Sequence, residues 1–177
     1  MLLENEQNEL MAFMAKEGDA LGLDPENIRT ITMETEASLK FTFPSHTSHL
    51  ELIRLVSTRV AAYVTSFTEE NLDDIGLAMD EACTNVMSHS YENGQNGGIL
   101  VNFTLARDRI TIDIIDEGEK GQSFNIEELS PVDKEEYLRN LSRGGLGVHL
   151  IKKIMDEVKY TVSPGVHNCL HMVKHAG

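Results

Sequence analysis

No stretch of the chain reaches the ~18 consecutive apolar residues of a membrane-spanning helix, so a transmembrane segment is excluded. No basic region precedes the leucines of MLLENEQNEL, which argues against a secretory signal. Cysteine is scarce. Cys83 and Cys169 both sit in apolar patterns and neither belongs to a CxxC, which argues against a disulfide scaffold and for a reducing, cytoplasmic location. Positive charge is also scarce. The 15 basic and 29 acidic residues leave a formal charge of −14, which disfavours direct binding to a phosphate backbone. Internal repeats and low-complexity segments are missing as well.

What is present is globular. The 177 residues suffice for one domain with a sizeable core, and 41% hydrophobic with 25% charged residues lies far from disorder. The charge is uneven. Residues 1–37 hold 2 basic and 9 acidic side chains, whereas residues 107–177 hold 10 and 12, so the second half is the better host for an anion. A solvated surface accounts equally well for any single acidic run.

Residues 1–37 read as an acidic, helical N-terminal extension. Leu2, Leu3, Leu10, Met11, Phe13 and Met14 suit one amphipathic helix, and Asp24-Pro25 reads as the start of another. The domain proper is expected over 38–177. Leu39, Phe41 and Phe43 alternate as a strand that Pro44 ends. Ser48 with Glu51 forms a capping box for a helix through Ile53, Val56, Val60, Tyr63 and Phe67. Ser66 with Glu69 is expected to cap a second helix, whose stripe is Leu72, Ile75, Met79, Ala82 and Val86. Ile99, Val101, Phe103 and Leu105, a turn at Arg107-Asp108, and Ile110, Ile112 and Ile114 predict a hairpin. Residues 119–143 show no strand pattern, and Ser130-Pro131 suggests a short capped helix; so long an excursion suits a lid. A last helix carries Leu150, Ile151, Ile154, Met155 and Val158 inward, and strands Lys159 to Ser163 and Asn168 to Lys174 close the chain.

Three constellations can carry chemistry. Glu81 and Asn85 lie one helical turn apart on a polar face that Ser88 continues. The carboxylate suits proton abstraction, and the carboxamide oxygen suits a hard cation such as Mg²⁺. Asp116-Glu117-Gly118 ends a strand with an acceptor for a ligand amine and a glycine that lets backbone approach. Gly144-Gly145-Leu146-Gly147 opens a helix and bares N–H groups at the positive end of its dipole, a phosphate site by physics, with Arg143, Lys152 and Lys153 nearby. It is neither a Walker A loop nor a complete Rossmann turn. Taken singly, a solvated helix face, an Asp-x-Gly turn and a flexible hinge explain each pattern too. His167, Cys169 and His171 alternate along one strand face, but they lack a fourth ligand and read as a partly buried face rather than a metal site. His46 and His49 are expected at the surface, and Cys83 in the core rather than as a nucleophile.

In order and spacing together, Glu81-Ala82-Cys83-Thr84-Asn85, Asp116-Glu117-Gly118 and Gly144-Gly145-Leu146-Gly147 resemble the N, G1 and G2 boxes of the GHKL ATPases. The stretches DEACTNVMSHSY and GGLGVHLIKKIMDEV are similar to the anti-sigma-factor serine kinase branch, and the resemblance spans residues 38–174. It implies an α+β fold, a two-layer α/β sandwich in which helices cover one face of a mixed sheet. It implies Glu81 as general base, Asn85 on Mg²⁺ with the ATP phosphates, and Asp116 on the adenine amino group beside Gly118. Arg143, Gly144, Gly145, Leu146, Gly147 and Asn168 complete the implied ATP-binding set, with 119–143 as the lid. His149 and Asn168 stand where the family more often has an apolar or aromatic residue and a threonine, and an extra Glu119-Lys120-Gly121 delays the aromatic Phe124.

The activity so implied is ATP-dependent phosphorylation of a serine on a small antagonist protein, combined with sequestration of a sigma factor or comparable target. A divalent cation and a group to orient the hydroxyl are what phosphoryl transfer needs, and both have candidates. The alternatives are a non-catalytic docking protein of the same fold and an ATP-hydrolysing relative. The extension over 1–37 is a candidate for homodimerisation, autoinhibition or partner choice.

Overall fold

Among the described residues six strands, most with alternating apolar residues, form one sheet, and helices with apolar stripes cover it. The computed structural model describes residues 38–90, 97–116, 146–163 and 167–177, the strand 29–32, and positions 9, 12, 13, 15–17, 19 and 20. The expected helix at Asp24-Pro25, the capped helix at Ser130 and the lid over 119–143 lie outside the described residues. Of the first expected helix, residues 12–13 and 15–17 are helical, and Phe13 is partly buried against the core.

The elements are β1 (Arg29–Thr32), β2 (Ser38–Pro44), α1 (Leu50–Ala61), α2 (Glu69–Ser90), β3 (Gly98–Leu105), β4 (Arg109–Asp116), α3 (Leu146–Ile154), β5 (Glu157–Ser163) and β6 (His167–His175). The spatial order is β1-β2-β3-β4-β6-β5. The two-layer α+β architecture is as expected, but the sheet is not mixed. Every strand pairing is antiparallel. The connections explain this. Two successive helices, α1 and α2, return the chain to the end of the sheet at which β2 finished, so β3 runs back along β2. β5 runs parallel to β4, with α3 before it in the chain, and β6 inserts between them, antiparallel to both.

β1 was not legible as a strand. Four residues, RTIT, are too few to display a period of two, and pairing with β2 supplies what the local pattern lacks.

One cluster forms the core. Leu39, Phe41 and Phe43 of β2, Val101 and Phe103 of β3 and Ile110, Ile112 and Ile114 of β4 face Ile53, Val56 and Val60 of α1, Ile75, Met79 and Ala82 of α2, and Ile151 of α3. Phe41 and Phe103 meet edge to face at 5.7 Å. Full burial of each such side chain contributes about 1.5–3 kcal/mol.

Neither expected cap forms: α1 starts at His49 without a side-chain cap bond, and α2 uses a different pair. Ser48 Oγ hydrogen-bonds to His46 Nδ1 at 2.7 Å in a 3-10 turn over Thr47–His49, which takes the serine out of the capping box. At α2 the reciprocal pair is Thr68 with Asn71: Thr68 N–H donates to Asn71 Oδ1 at 2.9 Å and Asn71 N–H to Thr68 Oγ1 at 3.3 Å. Ser66, two residues too early, donates to the Arg107 carbonyl at 3.1 Å in the β3–β4 turn. His49 is buried rather than exposed, because the 3-10 turn swings it under the start of α1; His46 is exposed as expected.

Candidate functional site

Helix α2 carries two stripes side by side. Ile75, Met79 and Ala82 point into the core. Asp74, Ala78, Glu81 and Asn85, spaced four, three and four apart, form the neighbouring stripe. Against it lies α3, held by its own apolar side chains Val148 and Ile151 and by Met155 just beyond its end. The chain direction sets α3 with its first turn beside Glu81 and Asn85.

Gly147 makes that contact. A Cβ built there would overlap Glu81 Oε2 and would lie 3.1 Å from Asn85 Nδ2. The glycine lets the first turn of α3, with its free N–H groups, come up against a carboxylate and a carboxamide. Two of the three motifs, 62 to 66 residues apart in the chain, thereby meet in space.

The third motif enters through the sheet register. Asp116, the last residue of β4, is paired with Asn168 near the start of β6. Asn168 is buried, and its Oδ1 has no hydrogen-bond partner among the described residues; the same holds for Asn85 Nδ2. Buried polar atoms normally find partners, so two orphaned carboxamides at this end of the fold fit a polar ligand. Glycine packing at the start of α3 fits a phosphate. Glu81 and the Asn85 carbonyl oxygen are hard donors of the kind Mg²⁺ takes.

The sequence profile of the histidine kinase-like ATPase domain matches residues 43–174.

The chain belongs to that family.

Its relatives are consistent in name. A serine-protein kinase RsbW of Bacillus subtilis (strain 168) is 32% identical over 127 residues, covering 70% of this chain and 77% of the relative. One from Halalkalibacterium halodurans is 34% identical over 133 residues, covering 73% and 78%. One from Staphylococcus aureus is 35% identical over 136 residues, covering 74% and 83%.

In this ATPase domain the expected site residues fall into three groups. Glu81, Asn85 and Gly147 are brought together. Asp116 and Asn168 are paired by backbone register, and Leu146 is the first residue of α3. Gly118, Arg143, Gly144 and Gly145 lie outside the described residues. His171, one of the alternating histidines, has its Nδ1 2.6 Å from Asp113 Oδ1 across the β4–β6 pair.

Electrostatics around α2 are one-sided. The helix carries Glu69, Glu70, Asp73, Asp74, Asp80 and Glu81 and no lysine or arginine. Burial raises the Asp80 carboxyl above its ordinary pKa, and Arg54, 3.6 Å away, opposes the rise. Burial, with Asp80 adding to it, pushes the Cys83 thiol up to about 12. That cysteine sits inside the first motif, yet it holds no thiolate at neutral pH and is not a nucleophile.

Sequence reasoning missed Lys174. Its Nζ donates to Asp74 Oδ2 at 2.7 Å and to the Ile154 carbonyl at 2.6 Å. A signal was present: Asn168, Leu170, Met172 and Lys174 share one phase of β6, so a lysine occupies an inward position.

No helix among the described residues is long and apolar enough to cross a membrane.

Proposed function

We propose that this chain is an ATP-dependent protein serine kinase acting in partner switching. It phosphorylates a serine of an antagonist protein and sequesters a sigma factor or a comparable target. The observation that carries this reading is the contact of Gly147 with Glu81 and Asn85, which brings a carboxylate, a carboxamide and the first turn of a helix to one point.

Each residue has a physical task. Glu81 accepts the proton of the attacking serine hydroxyl as its oxygen takes the γ-phosphoryl group and ADP departs. Asn85 offers Oδ1 to Mg²⁺, while its Nδ2 stays buried against α3. The N–H groups of Gly145 and Gly147 would hold phosphate oxygens, with Arg143, Gly144 and Leu146 as further members of the proposed phosphate set. Asp116 accepts from the adenine amino group, with Gly118 leaving room, and Asn168 supplies a second polar contact beside it. Bound Mg²⁺ supplies charge neutralisation along the phosphates. The relatives' shared name, serine-protein kinase, supports serine as acceptor.

Calorimetric titration of the full chain with ATP, with and without Mg²⁺, tests the site. Binding strengthened by Mg²⁺ and abolished by Asp116→Ala is the expected result; no binding by the intact chain would withdraw the proposal. Glu81→Gln is then expected to keep ATP affinity and to lose roughly 10²–10⁴-fold in phosphate transfer. A variant that bound ATP and transferred phosphate normally would remove Glu81 from the mechanism.

A further inference from the structure

Helix α3 spans nine residues, and one of its ends carries the glycines of the candidate phosphate site. Beyond the other end, Asp156 N–H donates to the Val173 carbonyl at 2.9 Å and His175 N–H to Asp156 Oδ2 at 2.6 Å; on the helix itself the added tie is a lysine from the sheet. Lys174 stands opposite Ile110 of β4, in phase with the buried Leu170 and Met172. Its aliphatic stem follows the core outward, and the ammonium emerges between two helices. There it donates to Asp74 Oδ2 at 2.7 Å on α2 and to the carbonyl of Ile154, the last residue of α3, at 2.6 Å. The lysine side chain is 11% exposed and the Asp74 side chain 26%, so solvent screens the pair only in part.

Both anchors bear on the same stripe. Asp74, Ala78, Glu81 and Asn85 line the side of α2 that meets α3. At one end of this stripe Gly147 packs on Glu81 and Asn85. At the other end Asp74 holds Lys174, which holds the C-terminus of α3. The cation also lies where a helix dipole favours positive charge. A nine-residue helix is about 13 Å long at ~1.5 Å per residue. A tilt of ~5° about the middle of a helix of that length moves each end, the first turn included, by roughly half an ångström.

We propose that Lys174, together with Asp74, is a positioning residue for the ATP site: it latches α3 against α2 so that the glycine turn keeps its place beside Glu81 and Asn85. Lys174 touches neither the base nor the glycine turn, and acts through the helix alone. The proposal rests on the reading of this site as an ATP site.

The test compares ATP with adenosine in calorimetric titrations of the full chain and of Lys174→Met, Lys174→Arg and Asp74→Asn, each checked for folding by circular dichroism. Adenosine engages the adenine region on β4 and reports its integrity; ATP also needs the first turn of α3. Lys174→Met is expected to weaken ATP roughly tenfold, the scale of a lost charge-assisted hydrogen bond, with adenosine affinity within about twofold of wild type. Lys174→Arg, which keeps the cation, is expected to recover most of the loss. If Lys174→Met does not fold, Asp74→Asn, which retains the lysine and its bond to Ile154, carries the comparison with an expected loss of about threefold. An unchanged ATP-to-adenosine ratio in a folded variant, or an equal loss for both ligands, overturns the latch. Failure of the wild-type chain to bind ATP overturns the site reading instead.

Discussion

Substituting Gly147 by alanine separates the geometry of the site from the stability of the fold. The added Cβ would overlap Glu81 Oε2 and come within 3.1 Å of Asn85 Nδ2, so either the carboxylate or the first turn of α3 must move by roughly an ångström. Overpacking of this kind costs about 1–3 kcal/mol. Exchanging a helical glycine for alanine returns about 0.5–1 kcal/mol. The net loss is therefore roughly 0–2.5 kcal/mol, a fall in Tm of up to about 10 °C for a chain of this size. The effect on chemistry is larger, because a displacement of ~1 Å at the reacting groups is worth up to about 10²-fold in rate. Gly76→Ala is the control. Its Cβ would lie 3.1 Å from Thr58 Cγ2 and 3.3 Å from Arg54 Nε on α1, away from Glu81 and Asn85. It is expected to change stability by less than ~1 kcal/mol and to leave ATP binding alone. Thermal melts and ATP titrations of the two variants decide the matter. Wild-type ATP affinity and transfer in Gly147→Ala would refute the claim that α3 docks on Glu81 and Asn85.

Three further outcomes follow from the same contacts. Burial lowers the His49 pKa below its ordinary 6.5, so the unfolded chain binds the extra proton first as pH falls. Stability is thus expected to drop as pH is lowered through 6.5, and chemical denaturation of His49→Gln between pH 5 and 8 should show a flatter profile; an unaltered slope removes the histidine from that dependence. Thr68→Ala should cost ~1 kcal/mol through loss of the cap on α2, whereas Ser66→Ala should cost under ~0.5 kcal/mol; equal effects in urea titrations would restore Ser66 as the cap. Cys169, half-buried, should react with an aromatic disulfide reagent in the native state and Cys83 only after denaturation; modification of both at one rate would contradict the packing of α2.

Much of this fold was legible in its periodicities, and the misses have physical causes. The stripes of α2 and α3 and the β3–β4 hairpin repeat over many residues, so local patterning sufficed. The caps were misread because a serine three residues before a glutamate competes with other partners. His46 takes Ser48, and the Arg107 carbonyl takes Ser66. His49 reads as polar, yet a 3-10 turn buries it. The sheet proved wholly antiparallel because the insertion of β6 between β4 and β5 is a matter of chain routing, which no local spacing encodes.

What the sequence by itself determined is the chemistry on offer. Glu81 and Asn85 share a helix face because they are four residues apart, and glycines at a helix start bare N–H groups wherever that helix lies. These are short-range consequences of backbone geometry. Only the tertiary structure decided that Gly147 packs on Glu81 and Asn85, that Asp116 is opposite Asn168, and that Lys174 reaches back one hundred residues to Asp74. Those contacts depend on sheet register and on how closely two helices approach, and both are set by the filling of a shared core rather than by any neighbour in sequence.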